Sequence, residues 1–168
     1  MKNREYRMYG LVMYNISPIQ QGIQFGHAVV EYAQKHFNDA DYQQWAKADK
    51  TFIILNGGTS NHTKNRYNGS TLYGTMEKHL IALDQAGVVN ETFFEPDLND
   101  ALSAIVFLVD DRVYDRETWP NYAGLYYADG ITPVETPYRE WKMRFAETEE
   151  EANRIVWMRD WLRQFKLA

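Results

Sequence analysis

Strand-like and helix-like segments alternate along the first 109 residues of this chain. The pattern consists of predicted strands at 6–14, 51–55, 89–94 and 102–109, predicted helices at 20–37 and 75–86, and a short amphipathic stretch at 41–48. Aromatic and β-branched residues mark the strands, and Pro, Asn and Gly mark their ends. This order predicts an α/β fold with a mixed four-stranded sheet and helices on both faces.

The length of 168 residues suits one domain. We expect residues 1–109 to form its α/β core and residues 110–168 to form an extension packed on that core. Three prolines among many aromatic residues favour irregular structure at 110–147. After it, Thr148 and Glu151 have the spacing of a capping box, which predicts that the extension ends in a helix.

Composition excludes several classes of protein. The chain has no Cys and a net charge of -5, and no apolar run is long enough to span a membrane. These features favour a cytoplasmic protein without disulfides, and contact with nucleic acid would need a local basic patch. The four histidines, His27, His36, His62 and His79, lack the spacing of metal ligands. We therefore expect no metal site.

The predicted helix at 20–37 carries two different faces. Gly22, Gly26, Val29 or Val30, and Ala33 are spaced to let the backbone lie close against the sheet. A second, polar face carries Gln20, Gln24, His27 and Glu31. On that face a neutral imidazole of His27 could take a proton from water, and the two glutamines could orient a substrate. The alternative is a histidine that only forms a structural hydrogen bond, beside amides that are only solvated.

Two further segments carry candidate site residues. Glu95 and Asp97 flank Pro96 between two predicted strands, where a carboxylate could orient His27 or polarise water, although turn formation alone also explains them. The polar stretch 59–70 contributes Lys64, Arg66 and Tyr67. Two cations and an aromatic ring could contact phosphate and a base, and the alternative is a solvated loop.

Three segments in this order resemble the type II peptidyl-tRNA hydrolase family. The run 20–28, Gln-Gln-Gly-Ile-Gln-Phe-Gly-His-Ala, is similar to that family's first-helix signature. Trp45 and the lead-in 50–55 resemble its second strand, and Glu95-Pro96-Asp97-Leu98 before 102–109 resembles its Asp-containing turn. Gln20 stands where the family has Lys. The extension resembles those of small hydrolase-like proteins in phage genomes.

The resemblance implies an α/β enzyme that cleaves the ester between a peptide and the 3′ end of tRNA without a cofactor. Under this hypothesis His27 or Asp97 activates water, Gln20 and Gln24 position the ester, Glu95 lines the site, and the loop at 59–70 meets the acceptor stem. The alternative hypothesis is an inactive binding protein on the same fold. Such a phage-type modulator would recognise tRNA, a nucleotide or a host protein through the cleft and the aromatic residues of 114–141.

Overall fold

A mixed sheet of four strands organises the first part of the chain in the computed structural model, which describes residues 4–61 and 74–168. The strands are β1 (Tyr6–Met13), β2 (Thr51–Gly58), β3 (Glu91–Glu95) and β4 (Ala101–Asp110). Their order is β2-β1-β4-β3, with β1 parallel to β2 and β3 antiparallel to β4. The predicted α/β fold class with a mixed four-stranded sheet is confirmed.

Helices cover both faces of this sheet. They are α1 (Pro18–His36), α2 (Ala40–Gln44), which continues as a π-helical turn to Asp49, and α3 (Thr75–Gln85). Alternate residues of β1 point to opposite faces. A Cβ at Gly10 would overlap the Phe25 ring of α1, whereas Gly57 leaves room for Met76 of α3 beside Leu11. Helix α1 therefore packs on one face and α3 on the other.

The buried face of α1 is not the one that its glycines suggest. Gln24, Phe25, Ala28 and Tyr32 are buried. A Cβ at Gly22 or Gly26 would meet nothing within 4 Å, so neither glycine serves a close approach to the sheet. The prediction was therefore wrong for the two glycines, whereas Val29 and Ala33 of the same predicted face are partly buried and pack against the core. The physical reason is Gln24, a polar side chain that is buried because both ends of its amide find partners.

A second compact unit comprises residues 110–164. It contains α4 (Asp111–Tyr114), α5 (Glu135–Lys142) and α6 (Glu149–Trp161). The region 110–147 is thus less irregular than predicted, because it includes two helices. Thr148 caps α6 as expected by accepting from the Glu151 backbone N–H, but the Glu151 carboxylate bonds Arg112 instead of completing the capping box. The packing of the extension on the core stays a prediction.

Residues 165–168 belong to the same unit as the sheet. Leu167 forms an antiparallel bridge with Leu55 of β2. The Asn56 N–H donates to the carbonyl of Lys166, and the Ala168 N–H donates to the carbonyl of Ile54, both at 2.9 Å.

In the described ranges 4–61 and 74–168, no helix has the length and apolar character needed to cross a bilayer.

His36 at the end of α1 makes the stability of the sheet unit dependent on pH. Its Nδ1 and Nε2 lie 2.9 Å from carboxylate oxygens of Asp39 and Glu91. Burial acts to lower the pKa of His36, but the hydrogen bonds to Glu91 and Asp39 outweigh burial and raise that pKa. The charged imidazolium therefore stabilises the folded state below the usual pKa of about 6.5, and this contribution is lost as the pH rises through the raised value.

We expect His36→Gln to destabilise the protein more at pH 6 than at pH 8. The difference should be below about 1 kcal/mol, because the ion pairs lie near the surface. Urea unfolding of both proteins at both pH values measures it. Burial lowers the pKa of His79 and so has the opposite pH dependence, but this contribution is common to both proteins and cancels. An equal loss of stability at the two pH values would contradict the assignment.

Candidate active site where the first helix meets the third strand

The Gln24 amide forms the buried centre of the candidate site. Gln24 is only 1% exposed. Its Nε2 donates to Glu95 Oε2 at 2.6 Å, and its Oε1 accepts from Ser103 Oγ at 2.6 Å. An ionised carboxylate only accepts hydrogen bonds, so the nitrogen end of the amide must face Glu95. Ser103 must therefore donate to the oxygen end. Together the two hydrogen bonds join α1 to the end of β3 and to β4.

Glu95 is held as a carboxylate at the end of β3. Its Oε1 accepts from the Asp97 backbone N–H at 3.1 Å, so it caps the 3-10 turn Pro96–Leu98. The hydrogen bond from Gln24, the backbone N–H of Asp97 and the nearby His27 together lower the pKa of Glu95. Asn99 and Asp100 follow with φ of 56° and 55°, a conformation that these residue types tolerate and that reverses the chain into β4.

His27 lies on the exposed side of the same cluster, one helical turn after Gln24. Its ring stacks on Phe93 of β3, with centroids 4.4 Å apart and planes inclined by 18°. It is near enough to Glu95 for the two to interact electrostatically. The stack orients the imidazole while the ring remains accessible to solvent. The site thus combines an ionised carboxylate with an accessible imidazole.

The other predicted site residues have different surroundings. Gln20 is exposed, one turn before Gln24, and its backbone N–H donates to Ser17 Oγ at the start of α1. The Asp97 side chain is exposed beside Glu95. Gln24, expected to contact substrate, is instead engaged by Glu95 and Ser103. Lys64, Arg66 and Tyr67 lie outside the described residues.

Two members of the cluster were missed by the sequence reasoning. Ser103 is fully buried on β4 and bonds Gln24, and Phe93 supports His27. Ser103 is a lone hydroxyl within the apolar run 102–109. A small polar residue in a buried strand signals a required hydrogen-bond partner, and this signal was available. Phe93 had no such signal, because an aromatic residue in a strand is ordinarily a core residue.

The arrangement suits proton transfer by side chains. Among the residues in the described part of the chain, no group of three or more His, Asp or Glu side chains is placed to hold a metal ion. A carboxylate beside an imidazole can stabilise the imidazolium that forms when the imidazole takes a proton from water. The solvent exposure of His27 gives water direct access to it.

Comparisons with known proteins do not assign the chain to a family. No protein-family model matches it, and no curated protein matches it.

Proposed function

We propose that this protein is an esterase that hydrolyses the ester between a peptide and the 3′ end of tRNA. The observation that carries the proposal is the Gln24 amide, which holds the Glu95 carboxylate at 2.6 Å within electrostatic reach of the accessible His27. The resemblance of residues 20–28 to the first helix of type II peptidyl-tRNA hydrolases supplies the substrate class. Because the protein has a net charge of -5, any contact with phosphate requires a local group of cations.

In this mechanism His27 acts as the general base. Its neutral imidazole takes a proton from water while the water oxygen attacks the ester carbonyl carbon. The Glu95 carboxylate stabilises the resulting imidazolium. The tetrahedral intermediate then collapses, the bond to the tRNA 3′ oxygen breaks, and that oxygen receives the proton from His27. The products are a free peptide carboxyl group and tRNA with a 3′ hydroxyl group.

The remaining candidate residues have auxiliary roles in this proposal. Gln24 acts as a positioning residue for Glu95, because both ends of its amide are already used. Gln20 is exposed near the start of the same helix and can donate a hydrogen bond to the ester or its oxyanion. Asp97 is the alternative base. Contact of Lys64, Arg66 and Tyr67 with the acceptor stem stays a prediction.

The test is single-turnover hydrolysis of an N-blocked aminoacyl-tRNA at low salt, where phosphate contacts are least screened. We expect the wild-type protein to release the blocked amino acid well above the rate in buffer alone. The variant Gln20→Lys should hydrolyse up to about tenfold faster, because a charged donor stabilises an oxyanion better than a neutral amide does. Folded protein that releases nothing above the buffer rate would contradict the proposal.

A second candidate function is recognition without hydrolysis. The exposed, uncharged Gln20 favours it, since this is where the resembling family has Lys. A protein of this class would bind tRNA, a nucleotide or a host protein without cleaving it. In the hydrolysis assay it would retain tRNA on a filter while leaving the ester intact, and Gln20→Lys would change neither result.

A further inference from the structure

An aromatic pocket within the unit 110–164 has no part in the proposed hydrolysis. It encloses about 250 Å³, close to the lower limit of about 300 Å³ that is common for small-molecule sites. Its lining includes Tyr122, Tyr126, Tyr138 and Trp141 together with two arginines. Aromatic rings and arginines side by side offer both stacking surfaces and hydrogen-bond donors for an anion.

The aromatic wall of the pocket, formed by Tyr122, Tyr126, Tyr138 and Trp141, is held by ring contacts and by hydrogen bonds. Tyr122 makes edge contacts with Tyr126 and Tyr138 at centroid distances of 5.7 and 5.2 Å, and it lies 5.7 Å from Trp141. The Tyr122 hydroxyl donates to the carbonyl of Leu125, and the Trp141 indole N–H donates to the carbonyl of Pro120. Tyr122 and Trp141 are therefore held by hydrogen bonds as well as by ring contacts, and little of their side-chain entropy is lost when a flat ligand packs against them.

Three guanidinium groups converge on one uncharged oxygen at this pocket. Asn121 Oδ1 accepts from Arg116, Arg159 and Arg163 at 3.1, 3.0 and 3.4 Å. Arg159 is only 2% exposed, and its other hydrogen bonds go to the carbonyls of Arg112 and Trp119. Burial, followed by the charges of Arg116 and Arg163, lowers the pKa of Arg159 to about 10. The one opposing charge in the pocket lining is Asp160, which is exposed.

A second buried arginine of the same unit shows the contrast. Arg112 contacts Asp110 at 2.7 Å and Glu151 at 2.9 Å, so two carboxylates compensate its charge. All the hydrogen bonds of Arg159 to the described residues go to uncharged oxygens. A buried cation without a contacting anion is costly. An anion entering the pocket would supply the missing negative charge.

We propose that this pocket binds a nucleotide, with the nucleobase packed among Tyr122, Tyr126 and Trp141 and the phosphate beside Arg159 and Arg163. A simple anion would make no use of the aromatic wall. A quaternary ammonium ligand, which also binds in aromatic cages, would face an excess of arginines over acidic groups. A nucleotide uses both features, since bases stack on aromatic rings and arginine pairs with phosphate. Nucleotide binding at this pocket does not depend on the proposed hydrolysis of peptidyl-tRNA.

The test is isothermal titration calorimetry of the full chain with AMP, adenosine and inorganic phosphate. We expect AMP to bind at least about tenfold more tightly than adenosine or phosphate, because both halves of the site are then occupied. A short oligoadenylate identifies the physiological source. Tighter binding of the oligonucleotide than of AMP indicates the end of a strand, and the reverse order indicates a free nucleotide.

Variants on the exposed side of the pocket locate the binding. Tyr126→Ala and Arg163→Gln remove one aromatic ring and one charge from exposed positions, and each should weaken AMP binding about tenfold. The matched control Arg139→Gln removes an exposed arginine of the same unit that lies outside the pocket, and it should change the affinity less than twofold. The proposal is wrong if folded wild-type protein binds no AMP at millimolar concentration, or if Arg139→Gln weakens binding as much as Arg163→Gln.

Discussion

The variant His27→Ala is expected to hydrolyse N-blocked aminoacyl-tRNA at least about 100-fold more slowly than the wild type, because general base catalysis contributes that much or more. Stability should change little, since the ring is exposed and its main contact is the stack on Phe93, worth about 1 kcal/mol. Single-turnover rates combined with urea unfolding separate loss of chemistry from loss of fold.

The matched control is His36→Gln at the other end of the same helix. It removes a histidine that pairs with Asp39 and Glu91 rather than with the candidate site, and we expect its hydrolysis rate to equal that of the wild type. If wild-type protein is active and His27→Ala retains full activity, His27 is not the base. Asp97→Asn would then be the variant that loses activity.

The second large effect concerns the stability of the unit 110–164. We expect Arg159→Ala to lower the free energy of unfolding by about 3–5 kcal/mol, since it opens a cavity and removes the buried hydrogen bonds of this guanidinium. The carbonyls of Arg112 and Trp119 both lose their hydrogen bonds to this guanidinium. Its packing over Phe145, with Cζ 4.8 Å from the ring centroid, is lost as well.

Tryptophan fluorescence during urea unfolding measures this effect. Four of the five tryptophans, Trp119, Trp141, Trp157 and Trp161, belong to this unit. The control Arg163→Ala removes an exposed arginine from the same pocket and should cost less than about 1 kcal/mol. Equal destabilisation by the two substitutions would show that the buried hydrogen bonds of Arg159 do not carry the stability.

Local sequence patterns predicted the elements of the sheet unit well. The strand predicted at 6–14 is β1 at Tyr6–Met13, and the helix predicted at 75–86 is α3 at Thr75–Gln85. Such elements are encoded by neighbouring residues, through apolar spacing and turn residues at their ends. The same patterns do not predict α5, because Pro137 is one of the three prolines that favour irregular structure at 110–147. Proline is compatible with the first turn of a helix, which is where Pro137 lies.

The candidate site was only partly predictable, because its central residue depends on distant partners. Gln24 has the helical spacing of a solvated amide. It is buried nevertheless, because it forms hydrogen bonds with Glu95 and Ser103, which lie 71 and 79 positions further along the chain. No local pattern reports such partners. Phe165 shows the same limit in the extension. It fits the apolar spacing of the last helix, but it contacts His79 in the sheet unit instead.

Strand β2 lies at the edge of the sheet, and residues 166–168 occupy part of that edge. A bare edge strand presents unpaired N–H and C=O groups that can recruit a strand from another molecule, which is a common route to aggregation. Here the backbone groups of Ile54 and Asn56 are already used. The opposite edge strand, β3, has only five residues and carries Glu91 and Glu95 at its ends. The protein thus covers part of one edge of its sheet with its own chain, and the other edge offers only a short strand.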